Sequence, residues 1–330
     1  MNEEDFMEET MSAKSVFNRM GIALNVVLIV ASVAQIICLS IGQVVVGVDV
    51  ELPSYLTMVL TFAPIYCIAM PIGIAMIKKI PSQMASESSL GIGDFIKYQI
   101  ICIPIMYIGN IIGTFLSYVL SSGTATNALE SILSADNMAI NIFFVVILAP
   151  IFEELIFRKL LIDRCSKYGE KTAIIFSALM FGLFHGNLFQ FFYAFGIGLI
   201  LAYVYTHTRK LRYPILMHMI INFWGSVPGV MLLSQLDEEV LNQVMMGTAD
   251  EATILSIAPA ILGLLAMLLV NVILSIVGIV LIFKNKRKIT FAPASEELEK
   301  GQIFRTVYCN AGVILLVVLC IGLTVFSLLA

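Results

Sequence analysis

Two adjacent glutamates, Glu153 and Glu154, interrupt a run of apolar residues that is long enough to cross a bilayer. Pro150 precedes the pair and Arg158 follows it. An ionisable side chain at the centre of a membrane helix costs about 2.5–3.5 kcal/mol on insertion scales, so such residues usually serve a function. The pair is therefore a candidate site. The alternative is a purely structural charge cluster at the cytoplasmic end of the helix.

Helical spacing gives the two glutamates different surroundings. Glu154 and Arg158 are four residues apart with the acid first, the order that favours an ion pair on a helix. Glu153 is turned about 100° away from Glu154 on a helix of 3.6 residues per turn. Pro150 cannot donate to the carbonyl four residues before it, which predicts a kink. We expect Arg158 to neutralise Glu154 and to leave Glu153 available for chemistry.

Two of the three histidines lie in apolar segments, and each is one helical turn from a Phe or an Asn. Phe181 and His185 share a face in one segment, and His218 and Asn222 share a face in another. A lone buried histidine is more often a core residue than a functional one, but here two occur in neighbouring segments. The third, His207, lies in a basic connection, where a solvated role is expected.

The candidate site therefore combines carboxylates, imidazoles, a guanidinium and an amide: Glu153, Glu154, Arg158, His185, His218 and Asn222. Such a set could activate water as a general base with oxyanion stabilisers. It could bind zinc or another divalent metal through His185, His218 and Glu153. It could also relay protons in a transporter. No HExxH motif is present, so the residue types alone do not decide between these chemistries.

The composition indicates which elements must position these residues. Of 330 residues, 59% are hydrophobic and only 13% are charged, with a mean hydropathy of +0.97. This predicts an all-α, polytopic bundle of transmembrane helices. Apolar runs of about 20 residues predict nine spans, near 20–46, 55–77, 96–120, 138–162, 171–186, 188–206, 214–234, 254–283 and 308–329.

The basic residues predict the orientation of these spans. All nineteen Lys and Arg fall in alternate connections, and the stretches 47–54, 121–137, 187 and 235–253 contain none. Because Lys and Arg accumulate on the cytoplasmic side, the N-terminus is predicted to be cytoplasmic and the C-terminus external. The net charge is −4 and the basic residues form no single patch, which argues against a nucleic-acid partner.

The spans group into three predicted segments. Residues 1–137 form an N-terminal tail with three flanking helices, residues 138–234 form the core that carries the candidate site, and residues 235–330 add two helices with a basic cytoplasmic connector. Counting helical rise from the nearest basic residues puts Glu153, His185 and Asn222 at about 15–21 Å depth and His218 at about 9 Å. This predicts a cavity that opens toward the cytoplasm.

At these residues the sequence resembles the family of CAAX-processing and bacteriocin-processing intramembrane proteases, which includes the type II CAAX prenyl endopeptidases. The family motifs EExxxR, FxxxH and HxxxN are present in order, carried by the six candidate residues and Phe181. Each motif alone is weak, whereas the ordered trio is specific. The resemblance covers roughly residues 138–225 and is close to the bacterial branch. Lys159 departs from the small residue that many relatives carry after the arginine.

The resemblance implies an endopeptidase of the metalloprotease type in a bacterial plasma membrane. Glu153 would activate the attacking water with help from His185, His218 and Asn222 would stabilise the oxyanion, and Glu154 and Arg158 would support them. The implied partner is a peptide or lipidated protein substrate within the membrane, and the oligomeric state stays open. The alternatives are a proton-coupled transporter and a non-catalytic bacteriocin-immunity or binding protein of the same family.

Overall fold

The computed structural model describes residues 11–83, 86–127 and 138–329, and every regular element in these ranges is helical. The helices are α1 (Ala13–Val46), α2 (Ser54–Lys78), α3 (Ile92–Leu120), α4 (Met138–Tyr168), α5 (Glu170–Phe184), α6 (Leu188–Thr208), α7 (Arg212–Leu233), α8 (Glu238–Met245), α9 (Glu251–Lys288), α10 (Lys300–Ile303) and α11 (Ala311–Leu329).

The predicted polytopic helical bundle is confirmed, with one difference in the number of spans. Within the described residues, eight helices are long and apolar enough to cross a membrane, and α5 is not among them. This helix corresponds to the predicted span 171–186 but has 15 residues, or about 22 Å. It is shorter than a hydrocarbon core of about 30 Å. The protein is an integral, multi-pass membrane protein, and the orientation of its termini remains a prediction.

Helix α4, which carries the two glutamates, is not a continuous α-helix. A short α-helical stretch, Ala149–Glu154, lies between two π-helical stretches, Ile142–Leu148 and Leu155–Ile162. The sequence predicted a single kink at Pro150, whereas the structure widens the helix on both sides of the glutamates. Such π-helical turns occur frequently at functional sites.

Close packing of α3 against α6 positions one side of the site. A Cβ atom at Gly113 would overlap the carbonyl oxygen of Leu188, and one at Gly109 would collide with the backbone of Tyr193. Small residues at such crossings let two membrane helices approach closely. The first turns of α6 are therefore held against α3.

One apolar core joins the three predicted segments. It contains Phe17 and Met70 from the N-terminal segment, Phe157 and Phe181 from the central segment, and Leu316 from the C-terminal segment. Helix α11 packs mainly along α1. The central segment that carries the candidate site is consequently supported from both ends of the chain.

Candidate active site

A buried ion pair lies behind the site. Arg158 Nε is 2.9 Å from Glu154 Oε2, and Arg158 Nη2 donates to Glu154 Oε1 at 3.2 Å. Arg158 Nη1 also donates to Ser177 Oγ, which in turn donates to the carbonyl of Phe157. Both charged side chains are 0% exposed, and a buried pair of this kind is tolerated only where further hydrogen bonds satisfy it. The predicted pairing of Glu154 with Arg158 is present.

His218 lies between the two glutamates. Its Nδ1 atom donates to Glu154 Oε1 at 2.9 Å, and its Nε2 atom is 3.8 Å from Glu153 Oε2. Because an ion-paired carboxylate is an acceptor, the Nδ1 atom carries a proton. The sequence did not predict that Glu154 holds His218, since the two residues are 64 positions apart and no local pattern links α4 to α7.

His185 is placed by the end of α5. It caps that helix, and Gly186, with a φ of 62°, turns the chain toward α6, a conformation that glycine adopts most readily. Nδ1 of His185 donates to the carbonyl of Phe181 at 2.9 Å. In the neutral ring the other nitrogen, Nε2, is then a hydrogen-bond acceptor. The shared face of Phe181 and His185 was predicted correctly from their spacing.

The ring of Phe181 contacts three of the candidate residues. Its centroid lies 5.0 Å from that of His185 and 5.7 Å from that of His218, both in edge-on geometry, and 4.6 Å from Arg158 Cζ. Edge-on aromatic contacts and a cation over a ring face are both favourable arrangements. Phe181 therefore packs against both imidazoles and the guanidinium.

Glu153, His185, His218 and Asn222 line one cavity of about 580 Å³. The side chain of Glu153 is 18% exposed, whereas that of Glu154 is 0% exposed. The structure thus brings the four predicted catalytic residues together and places Glu154 and Arg158 behind them. His207 does not line the cavity; its Nδ1 atom donates to the carbonyl of Tyr203.

Sequence analysis identified none of the other polar residues in the cavity wall. They come from five helices and the loop before α4: Ser32, Gln35, Tyr66, Tyr107, Asn110, Asn127, Gln190, Tyr193 and Ser226. The signal that could have found them is the presence of single polar side chains within apolar spans. Among the described residues of the wall, Glu153 is the one acidic side chain, and no Lys or Arg contributes to it.

The cavity lies toward the helix ends that the basic residues predict to be external. Its wall reaches Gln35, far along α1, and Asn127, in the stretch 121–137 that the basic residues predict to be external. Among the described residues, none from the predicted cytoplasmic connections lines it. The side on which the cavity opens, like the orientation of the helices, stays a prediction.

The candidate metal ligands do not form a metal-binding set. Within the part of the chain that the structure describes, no three His, Cys, Asp or Glu side chains are arranged to hold a metal ion. The Nδ1 atoms of His185 and His218 are bonded to Phe181 and Glu154, which leaves their Nε2 atoms as the ring nitrogens that a water molecule, a substrate or a metal ion can contact. Glu153 is the carboxylate on the cavity wall that can act together with them.

Comparison with known proteins identifies the relatives of this site. Residues 135–224 match the family model described as type II CAAX prenyl endopeptidase Rce1-like. The membrane-embedded CAAX protease MroQ of Staphylococcus aureus (strain USA300) is 35% identical over 104 residues, which cover 29% of this chain and 42% of MroQ. The membrane peptidase YdiL of Bacillus subtilis (strain 168) is 30% identical over 118 residues, 34% of this chain and 47% of YdiL.

The matched region is limited in extent. The chain spans less than half the length of each of these two relatives, and no solved structure matches it. Both relatives are bacterial membrane proteins by their names and sources. Together with the eight apolar helices, they support an integral protein of a bacterial plasma membrane.

Proposed function

From the match of residues 135–224 to the Rce1-like family of type II CAAX prenyl endopeptidases, we propose that this protein is an intramembrane endopeptidase. The observation that carries the proposal is the separation of the two glutamates. Glu154 is enclosed by Arg158 and His218, whereas Glu153 is open to the cavity. Glu153 is the carboxylate that can reach a water molecule and a substrate.

In the proposed reaction, Glu153 accepts a proton from water as the water attacks the peptide carbonyl carbon. Nε2 of neutral His185 accepts the second hydrogen bond of that water, which orients it. Protonated Glu153 then delivers its proton to the leaving amine. The products are a carboxylic acid and an amine, and no covalent enzyme intermediate forms.

The oxyanion of the tetrahedral intermediate needs hydrogen-bond donors in the same cavity. Asn222 supplies an amide N–H. His218 supplies an N–H from Nε2 when the ring is an imidazolium, because Nδ1 is bonded to Glu154. Glu154 thus orients His218, and Arg158 pairs with Glu154.

Two serines line the cavity, and neither is arranged as a nucleophile. The Ser226 hydroxyl donates to the backbone carbonyl of Asn222, and Ser32 lies on α1. Among the described residues, neither hydroxyl is hydrogen-bonded to a histidine. A serine nucleophile requires an adjacent base, so the arrangement favours direct attack by water.

The cavity wall favours an internal, uncharged segment as the substrate. Its volume of about 580 Å³ lies within the usual range for sites that enclose small ligands. A free C-terminal carboxylate is normally bound by a cation, and no Lys or Arg from the described residues lines the wall. We propose that the enzyme cuts an apolar peptide or lipidated protein at a bond that is not defined by a nearby free carboxylate.

The test is cleavage of a library of apolar peptides by protein in liposomes, with Glu153→Gln compared with the parent protein. Removal of the base is expected to reduce kcat by at least 100-fold. Glu239→Gln is the matched control, because Glu239 lies on the exposed helix α8, and it is expected to behave like the parent. Equal cleavage by the parent and Glu153→Gln contradicts the proposal.

A further inference from the structure

The π-helical register of α4 assigns Pro150 as the backbone donor position for one carbonyl, that of Val145. Val145 lies in the π-helical stretch Ile142–Leu148, where a carbonyl accepts from the N–H five residues later. Phe144 follows this rule, since it accepts from the N–H of Ala149. The corresponding donor for Val145 would be residue 150, which is a proline and has no N–H.

The side chain of Asn222 supplies a hydrogen-bond donor to the Val145 carbonyl. Its Nδ2 atom donates to the Val145 carbonyl at 2.9 Å, from a different helix. A carbonyl that is partly withdrawn from water is stabilised by a hydrogen-bond donor, so this part-buried contact holds the amide in place. One of the two Nδ2 protons is committed to Val145, and the other proton remains for the cavity that Asn222 lines.

We propose that Pro150 is a positioning residue for Asn222. By withholding an N–H from Val145, the proline keeps that carbonyl as the acceptor that sets the orientation of the amide. The remaining N–H of Asn222 is thereby directed at the oxyanion. Pro150 itself does not contact the substrate, and this inference rests on the proposed peptidase function.

A purely structural role for Pro150 makes a different prediction. A proline that only shapes α4 affects the enzyme equally whether or not Asn222 is present. A proline that acts through Asn222 has an effect that disappears when the amide is removed. Replacement by alanine introduces an N–H that competes with Asn222 for the Val145 carbonyl.

The experiment is a double-mutant cycle with Pro150→Ala, Asn222→Ala and both together, measured as kcat and KM in liposomes. Pro150→Ala is expected to lower kcat about tenfold with KM changed by less than twofold. Asn222→Ala is expected to lower kcat by about 100-fold, and the double variant is expected to have the same kcat as Asn222→Ala within twofold.

Pro259→Ala is the matched control, since Pro259 lies inside α9 and does not line the cavity. Pro150→Ser supplies the same N–H and replaces Pro150→Ala where that variant does not fold.

The inference is overturned if the kcat of Pro150→Ala equals that of the parent. It is also overturned if Pro150→Ala lowers kcat by the same factor in the presence and in the absence of Asn222. A parent protein that cleaves no peptide contradicts the proposed function instead. In that case the role of Pro150 is tested by the side-chain amide signal of Asn222 in ¹H–¹⁵N spectra. This signal is assigned by its loss in Asn222→Ala. One amide proton is expected to be protected from exchange in the parent and unprotected in Pro150→Ala. Equal protection in both proteins overturns the inference.

Discussion

Nδ1 of His218 lies 2.9 Å from Oε1 of Glu154, across 64 residues of sequence. This contact links the two motif-bearing helices α4 and α7 and turns the opposite edge of the imidazole toward Glu153, 3.8 Å away. The second glutamate is therefore more than a partner for Arg158. It fixes the orientation of a ring that faces the proposed base.

Substitution of the two glutamates is expected to separate stability from activity. Glu154→Gln leaves Arg158 buried without a counterion, which costs about 3–5 kcal/mol when one partner of a buried pair is removed. Glu153→Gln removes a partly exposed carboxylate, and the free energy of unfolding is expected to change by less than about 1 kcal/mol. Unfolding in detergent micelles, followed by circular dichroism, gives both values. A Glu154→Gln protein as stable as the parent would show that the pair does not stabilise the fold.

Amidation of the substrate C-terminus is expected to leave cleavage unchanged or faster. No Lys or Arg among the described residues lines the cavity wall, and Glu153 repels an added negative charge. The comparison uses pairs of peptides that differ only in a C-terminal carboxylate or carboxamide close to the cleaved bond. A loss of more than tenfold on amidation would reveal a carboxylate-binding group and contradict the proposed substrate preference.

Chelator treatment is expected to leave cleavage by the purified protein within twofold of the untreated rate. The reason is the absence, within the described residues, of three side chains arranged as metal ligands. Elemental analysis of the same sample measures the bound metal. Stoichiometric zinc together with loss of activity on chelation would instead establish the metal site that the residue types allow.

The sequence by itself determined the features that depend on near neighbours. The apolar runs predicted the membrane helices, and fixed helical geometry predicted the pairs Glu154–Arg158 and Phe181–His185, because side chains four residues apart meet on any helix. The short length of α5 was already visible in the sequence, since the predicted span 171–186 holds sixteen residues where a crossing needs about 20.

Only the tertiary structure decided how the pairs combine. The contacts of His218 with Glu154 and of Asn222 with Val145 join α7 to α4, and no local period encodes the rotation of one helix against another. The direction of the cavity has the same origin, since it depends on how the helix ends are spaced. That spacing follows from crossings such as Gly113 against the Leu188 backbone, where the lack of a side chain lets two helices approach closely.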